Sequence, residues 1–191
     1  MRLKLGLLAA ALLAAGCSGL DTREPAAIVS AEAPAATKTY LWSSSMEAKR
    51  VALEKATLNT GIAVLRTKDN QLQVNVPSDF SFDTDSAEIK PDMRPVLDQF
   101  AEGLEAKTLS HMLIHIIGHT DSRGSDAVND PLSLARANSV RKHLESKGIA
   151  TSRIEVEGRG EHQPMVGNDK SYGRALNRRV EILLREPGGT S

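Results

Sequence analysis

Apolar and polar residues in the second half of the chain recur with two periods, one typical of helices and the other of strands. From Pro91, a residue favoured in the first turn of a helix, apolar side chains return every three or four positions as far as Leu104. This spacing predicts a helix with one buried face. Residues 111–119 contain an almost continuous apolar run, which predicts a central strand that is buried on both faces.

A second helix and two further strands follow the central strand. The dipeptide Asp130-Pro131 is typical of a helix start and Gly148 of a position just after a helix end, so a helix is predicted between them. Residues 154–157 and 179–184 alternate as strands do, with a short helix near residues 172–176 between them. We therefore predict an α/β fold, an α+β sandwich in which a mixed sheet of about four strands carries its helices on one face.

The preceding segment has a weaker helical pattern and a hairpin. Residues 45–58 predict a short helix, and residues 62–66 and 72–76 form two alternating runs joined by a polar turn. We assign residues 43–71 to a small helix plus hairpin strand, and residues 72–191 to the main domain.

The first 42 residues are typical of an export signal followed by a linker. Residues 1–16 combine two basic residues with a short apolar run, too short to span a bilayer, and end just before the single cysteine of the chain, Cys17. The site resembles the lipobox of bacterial lipoproteins, although Ala14 stands where leucine is usual. The resemblance implies acylation of Cys17, with palmitate-type chains as a lipid anchor, and the alternative is an ordinary secretory signal beside a free thiol. Residues 17–42 are then the anchor and a flexible linker, rich in Ala, Ser, Thr and Pro.

Composition excludes several classes of function. The 24 Lys and Arg residues balance the 24 Asp and Glu residues, so a nucleic-acid partner is disfavoured. Aromatic residues make up only 3% of the chain, which argues against a surface that stacks on bases or sugar rings. With one cysteine the chain closes no internal disulfide, so the domain depends on its hydrophobic core.

The second predicted helix carries a cation on its apolar face. Arg136 falls on the same stripe as Leu132, Val140 and Leu144, at intervals of four residues. A guanidinium cannot lose its proton to escape burial, so a buried arginine requires an anion, and its planar shape suits a carboxylate. That anion is either an internal Asp or Glu, or a ligand.

Asp121 is the obvious internal partner, but it also stands at the carboxyl end of the central strand, where α/β sheets place their ligand sites. If Asp121 and Arg136 lie side by side without neutralising each other, they form a clamp for an amine and a carboxylate on one carbon. Such a group is a free amino-acid end. Asn129, just before the predicted cap, can add a neutral hydrogen bond or serve only as a turn residue.

Several motifs in one order resemble the C-terminal domain of the OmpA family, as found in peptidoglycan-associated lipoproteins. They are Gly118-His119-Thr120-Asp121, Asn129, Leu132-Ser133-Leu134-Ala135-Arg136-Ala137, Gly158-Arg159-Gly160-Glu161, Pro164 and Asn177-Arg178-Arg179-Val180-Glu181. The loop at residues 82–89, before the first long helix, also resembles the family. Val128 departs from it, since an aromatic residue commonly precedes the asparagine.

The resemblance implies non-covalent binding of the peptide stem of peptidoglycan through meso-diaminopimelate. The amine goes to the aspartate matching Asp121 and the carboxylate to the arginine matching Arg136. Further positions that match the lining of such pockets are Thr120, Asn129, Asp83, Thr84, Asp85, and Arg178 or Arg179.

We expect an outer-membrane lipoprotein that faces the periplasm and ties the membrane to the cell wall, without enzymatic activity or a cofactor. One alternative is an envelope module that docks protein partners in an assembly or division complex. A cell-wall peptide hydrolase ranks last, because no Gly-x-Ser-x-Gly motif occurs.

A metal site at His111, His115 and His119 is disfavoured, because a spacing of four residues along a strand separates neighbours by about 13 Å. His119 is expected to form a hydrogen bond that supports the Asp121 loop.

Overall fold

Five helices, five strands and two short 3-10 turns make up the part of the chain that the computed structural model describes, residues 41–188. The predicted signal peptide, Cys17 and nearly all of the predicted linker lie outside the described residues. The elements in chain order are α1 (Ser44–Ala56), β1 (Ala63–Arg66), β2 (Leu72–Pro77), α2 (Ser78–Ser81), a 3-10 turn (Pro91–Met93), α3 (Arg94–Ala101), β3 (Leu113–His119), α4 (Asp126–Ser146), a second 3-10 turn (Thr151–Arg153), β4 (Ile154–Gly158), α5 (Ser171–Asn177) and β5 (Arg179–Arg185).

The strands form one mixed sheet in the order β1-β2-β5-β3-β4. Only β3 and β4 run parallel, because α4 crosses over between them, and every other neighbouring pair is antiparallel. The predicted mixed α/β class is confirmed, with five strands where about four were expected. The additional strand is β1, which pairs with β2 and so continues the sheet across the boundary drawn at residue 72.

The helix α1 packs into the same hydrophobic core. Met46 and Leu53 are fully buried among the core residues. The ammonium group of Lys49 is also buried and donates hydrogen bonds to the backbone oxygens of Gln99 and Glu102, at the end of α3. A lysine side chain therefore caps the carbonyl end of the neighbouring helix, where the helix dipole favours a cation.

The strand β3 lies in the middle of the sheet as predicted, but it is buried on both faces only in its second half. Leu113 and His115 are half-buried, whereas Ile116 to His119 are buried. The apolar run therefore predicted the position of the strand correctly, but it did not indicate that Leu113 and His115 are partly exposed.

The helix α4 begins earlier than the sequence indicated. Asp130 is not the cap, because Ser125 caps the helix and its backbone oxygen accepts hydrogen bonds from the N–H groups of Val128 and Asn129. Pro131 lies inside the helix and leaves one backbone bond unmade. The first turn is exposed, so water can hydrate the carbonyl that the proline leaves without a donor. The predicted end is confirmed, with Gly148 in the left-handed region at φ +93°.

No helix within residues 41–188 has both the length and the apolar character needed to cross a bilayer.

Candidate functional site

Two glycines bring α4 unusually close to the sheet. A Cβ atom on Gly118 would overlap the backbone of Ser133, and one on Gly158 would overlap Leu134. Because both positions lack a side chain, α4 lies directly on β3 and β4 at their carboxyl ends. Arg136, one turn beyond Ser133, is thereby placed beside the loops that leave these strands.

A cavity of about 440 Å³ opens at this edge of the sheet. Its walls come from α2, the 82–89 loop, the loop after β3, the start of α4 and the residue before β5. The lining residues are Asp79, Phe82, Asp83, Thr84, Asp85, Lys90, Thr120, Asp121, Arg123, Asn129, Leu132, Arg136 and Arg178. Four of these side chains are cations and four are anions, so the cavity has no formal net charge.

Eight of the nine predicted ligand-binding residues line this cavity, and Arg179 does not. Arg179 lies on the other side of the sheet, where its guanidinium contacts a carboxylate oxygen of Glu181 at 2.7 Å and donates to the backbone oxygen of Gln163 at 3.3 Å. Arg178 and Arg179 are neighbours at the start of a strand, and successive side chains of extended backbone point to opposite faces. The two arginines therefore serve different faces, and of these two predicted alternatives it is Arg178 that lines the cavity.

Arg136 is 95% buried and meets backbone oxygens of the 82–89 loop rather than a carboxylate. Its Nε donates to the Ser86 oxygen at 2.9 Å and one terminal nitrogen to the Asp83 oxygen at 3.5 Å, while the guanidinium lies over the ring of Phe82. Among residues 41–188, no carboxylate lies within ion-pairing distance of this guanidinium. Burial lowers the pKa of Arg136 from its ordinary value, and the negative charge of Asp79 opposes that effect. A buried, permanently charged cation thus borders the cavity, and the described part of the chain provides no anionic partner for it.

Asp121 is equally buried but already has a partner. One carboxylate oxygen accepts a hydrogen bond from the backbone N–H of Arg123 at 2.8 Å, and the other accepts one from Nη1 of Arg178 at 2.7 Å. Asp121 is therefore neither paired with Arg136 nor left without a counter-ion. Asp121 and Arg136 thus do not neutralise each other, but Asp121 has Arg178 as a counter-ion whereas Arg136 has none among residues 41–188.

Arg178 bridges two carboxylates. Besides Asp121, it donates from Nε and Nη2 to the two carboxylate oxygens of Asp79, at 2.9 and 2.6 Å. This two-bond contact holds the pKa of Asp79 below its ordinary value and raises the pKa of the Arg178 guanidinium.

Asn129 and Thr120 add neutral polar groups. The Asn129 amide donates to the backbone oxygen of Asp121 at 3.3 Å and to the Glu161 carboxylate at 2.7 Å. The hydroxyl of Thr120 is buried, and no residue in the described part of the chain forms a hydrogen bond with it. A buried hydroxyl without a partner in a cavity wall is suited to a polar ligand.

The 82–89 loop forms the rim of the cavity, and Lys90 fixes its far end. The Lys90 ammonium donates to the backbone oxygen of Asp79 at 3.0 Å and lies 3.3 Å from the exposed carboxylate of Asp83. Asp85 adopts a positive φ of 55°, which is uncommon outside glycine and asparagine and turns the chain sharply at this point. The loop geometry matters because this loop supplies the carbonyl groups that hold Arg136.

His119 does not form the hydrogen bond that was expected of it. The ring is 1% exposed, and neither nitrogen has a hydrogen-bond partner within the described residues. The nearest carboxylate oxygen belongs to Glu181 and lies 3.5 Å away. Burial, together with the charge of Arg179, lowers the pKa of His119 to about 4, so the ring is neutral near pH 7.

Sequence reasoning missed Asp79 and Lys90. Each flanks the 82–89 loop, and neither belongs to a periodic pattern or to a predicted motif. Their roles follow from contacts with residues distant in sequence, of which Asp79 with Arg178 is the clearest. A single sequence gives no signal for such a pair.

The OmpA family matches residues 81–178, half of the chain. Outer membrane protein A of Bordetella avium is 45% identical over 56% of this chain and 54% of its own length. The probable lipoprotein YiaD of Escherichia coli K12 is 37% identical over 73% of this chain and 62% of its own length. The match thus covers less than two thirds of the length of each of these two relatives.

A solved structure agrees with these relatives. The peptidoglycan-associated lipoprotein of Burkholderia pseudomallei superimposes with a TM-score of 0.51 at 29% identity, covering 58% of this chain and 89% of that one. The family match includes most of the cavity, from the 82–89 loop through Asp121 and Arg136 to Arg178. The chain belongs to the OmpA family.

Proposed function

We propose that this chain binds the peptide stem of peptidoglycan non-covalently, through the free amino-acid end of meso-diaminopimelate. The observation that carries the proposal is the 95% buried guanidinium of Arg136, which borders a cavity without a carboxylate partner in the described residues. An anion that enters the cavity compensates the cost of keeping this cation out of water.

The remaining charges favour a zwitterion over a simple anion. The cavity has four anionic and four cationic side chains, so a ligand with one charge of each sign leaves the balance unchanged. We assign the ligand carboxylate to Arg136 and its ammonium to Asp121, with Thr120 and Asn129 as neutral contacts. An amine and a carboxylate on one carbon fit this pair of opposite charges.

The relatives support peptidoglycan as the source of that group. The matching structure from Burkholderia pseudomallei is named a peptidoglycan-associated lipoprotein, and its similarity covers 58% of this chain. The stem peptide is the part of peptidoglycan that presents such amino-acid ends. The few aromatic residues of this chain agree with recognition of peptide rather than sugar.

The anchoring role is a further part of the proposal. We propose that an acylated Cys17 holds the chain in the outer membrane, facing the periplasm, so that the domain ties the membrane to the wall. Similarity to an outer membrane protein and to a probable lipoprotein supports an envelope location. The proposed binding involves no covalent step, and within the described residues the buried hydroxyl of Thr120 is not hydrogen-bonded to a base that would activate it as a nucleophile.

Co-sedimentation with sacculi tests wall binding. The full chain, purified in mild detergent, is expected to pellet with diaminopimelate-containing sacculi, and Asp121→Ala or Arg136→Ala is expected to abolish this. Each loss should exceed about 2 kcal/mol, because the opposite charge of the ligand is left desolvated and unmatched. The matched control is Arg94→Gln, which removes an exposed charge outside the cavity. Retention by both alanine variants, with native circular dichroism, would contradict the proposal.

Fractionation of cells tests the anchor separately. Cys17→Ser should move the chain from the outer-membrane fraction to the soluble periplasmic fraction while leaving its affinity for sacculi unchanged. A variant that stays in the membrane fraction would show that Cys17 is not the anchor.

A further inference from the structure

The contacts of Arg178 raise a question about how any amine reaches Asp121. One oxygen of Asp121 is occupied by the Arg123 backbone N–H, and the other accepts a hydrogen bond from Arg178 at 2.7 Å. A ligand ammonium bound to that second oxygen would lie within a few ångströms of the Arg178 guanidinium. Two like charges at that separation in a partly buried site repel each other strongly.

Asp79 determines which nitrogen of the Arg178 guanidinium can change its hydrogen-bond partner when a ligand binds. Two of the three guanidinium nitrogens, Nε and Nη2, are held by the carboxylate of Asp79, so the group cannot leave the cavity wall without breaking a two-bond ion pair. Only Nη1 is directed at Asp121. Nη1 is therefore the part of the side chain that can change partner while the rest stays in place.

We propose that Arg178, positioned by Asp79, is an exchangeable counter-ion that makes the cavity selective for zwitterions. In the free protein its Nη1 neutralises Asp121. When a ligand binds, the ligand ammonium takes Asp121 and the carboxylate on the same carbon takes Nη1, together with Arg136. This inference rests on the proposed function and adds a specificity-determining residue, Arg178, and a positioning residue, Asp79.

The exchange accounts for selectivity in both directions. An amine without a carboxylate displaces Arg178 from Asp121 and gives it nothing in return, so two cations compete for one carboxylate. A carboxylate without an amine reaches Arg136 but leaves Asp121 already satisfied by Arg178, so it gains only part of the site. A group with both charges pairs its ammonium with Asp121 and its carboxylate with both Arg178 and Arg136.

Isothermal titration of the full chain with three small molecules tests this mechanism. The probes are meso-diaminopimelate, cadaverine, which keeps both amines but has no carboxylate, and pimelate, which keeps both carboxylates but has no amine. We expect the unaltered chain to bind meso-diaminopimelate and to bind each of the other two at least about 30-fold more weakly. Comparable affinity for cadaverine in the unaltered chain would overturn the proposal.

Arg178→Gln is the first variant. It should weaken meso-diaminopimelate binding by about tenfold and strengthen cadaverine binding, because Asp121 loses its competing cation. The ratio of the two affinities should fall by well over tenfold, a change that a purely structural loss would not produce. Arg94→Gln, which removes an exposed charge outside the cavity, should leave the ratio unchanged.

Asp79→Asn is the second variant. A released Arg178 can turn both terminal nitrogens towards Asp121, so meso-diaminopimelate binding should weaken by about three- to tenfold. In a chain that also carries Arg178→Gln, the same change should alter affinity less than twofold. Asp79→Glu, which can still hold a guanidinium, should restore most of the binding, and Asp92→Asn, at an exposed acidic residue, is the matched control. An equal effect of Asp79→Asn with and without Arg178 would overturn the positioning role.

The outcomes separate this inference from the proposed function. If the unaltered chain fails to bind meso-diaminopimelate, both are wrong. If binding occurs and depends on Asp121 and Arg136, but Arg178→Gln leaves the cadaverine ratio unchanged, the proposed function stands and the exchange mechanism is wrong.

Discussion

The cavity around Arg136 and the loop region around Arg153 both bury an arginine, but they differ in how many hydrogen-bond acceptors they offer to its guanidinium. Arg153 is 9% exposed and donates to the backbone oxygens of Leu104, Leu109 and Met112, at 2.9 to 3.1 Å. It also contacts the Glu105 carboxylate at 2.6 Å. Arg136 is 5% exposed, and within residues 41–188 it has two carbonyl contacts, one of them long, and no carboxylate partner.

The difference shows that burial alone does not identify a ligand-binding cation. Arg153 fastens residues 104–112 to the start of β4, and its guanidinium has little left to offer a ligand. Arg136 retains donor capacity at the wall of a cavity. The informative quantity is the number of donors that the protein itself leaves unsatisfied.

Among the variants that test this comparison, Arg153→Met should have the largest effect on stability. The change should lower the free energy of unfolding by about 3–5 kcal/mol, because three buried backbone oxygens lose their donor at once. Urea denaturation measures the loss, and binding of meso-diaminopimelate by the folded protein should be unaltered. A loss below about 1 kcal/mol would mean that Arg153 is not the structural counterpart of Arg136.

Acid should destabilise the protein through His119, on the side of the sheet where Arg179 lies. Its pKa of about 4 in the folded chain is below the ordinary value of 6.5, so the unfolded chain binds more protons between these pH values. Stability is therefore complete above pH 6.5 and falls as pH decreases towards 4, by about 3 kcal/mol at most. Urea denaturation at a series of pH values measures this slope. His119→Gln should flatten it in this window, and an unchanged slope would contradict the assignment.

Arg179→Met should have an intermediate effect on stability and none on binding. Glu181 is 13% exposed at its side chain and loses the guanidinium that contacts it, so unfolding should become about 2 kcal/mol easier. Co-sedimentation with sacculi should remain, since Arg179 does not line the cavity. Lost wall binding in a folded variant would place Arg179 at the site after all.

The smallest change in stability is expected for Arg136→Met, although it should abolish wall binding. Removal of a buried cation that lacks an anionic partner relieves its desolvation, and methionine keeps most of the packing against Phe82. The free energy of unfolding should change by less than about 1 kcal/mol in either direction. Paired urea denaturation and sacculus co-sedimentation test this contrast between Arg136 and Arg153. A loss of stability as large as that of Arg153→Met would contradict it.

The sequence predicted most elements and eight of the residues that line the cavity, and its failures have physical causes. The buried face of α4 and the position of Arg136 on it followed from a helical period, which is a local property of the sequence. The start of α4 was misplaced because Asp130-Pro131 is a favourable first turn, and nothing local reveals that an exposed helix tolerates the missing bond. Similarly, no local pattern shows that Arg178 lies between Asp79 and Asp121, since 99 and 57 residues separate these pairs.

The cancelling charges of the cavity also affect how the ligand arrives. Opposite charges that sum to zero within a few ångströms produce a field that decays quickly with distance, and a zwitterion carries no net charge for a field to steer. The capture rate should therefore change little with ionic strength, unlike that of a site built from one sign of charge. If the proposed function holds, attachment of this domain to its ligand should therefore be nearly independent of the surrounding salt concentration.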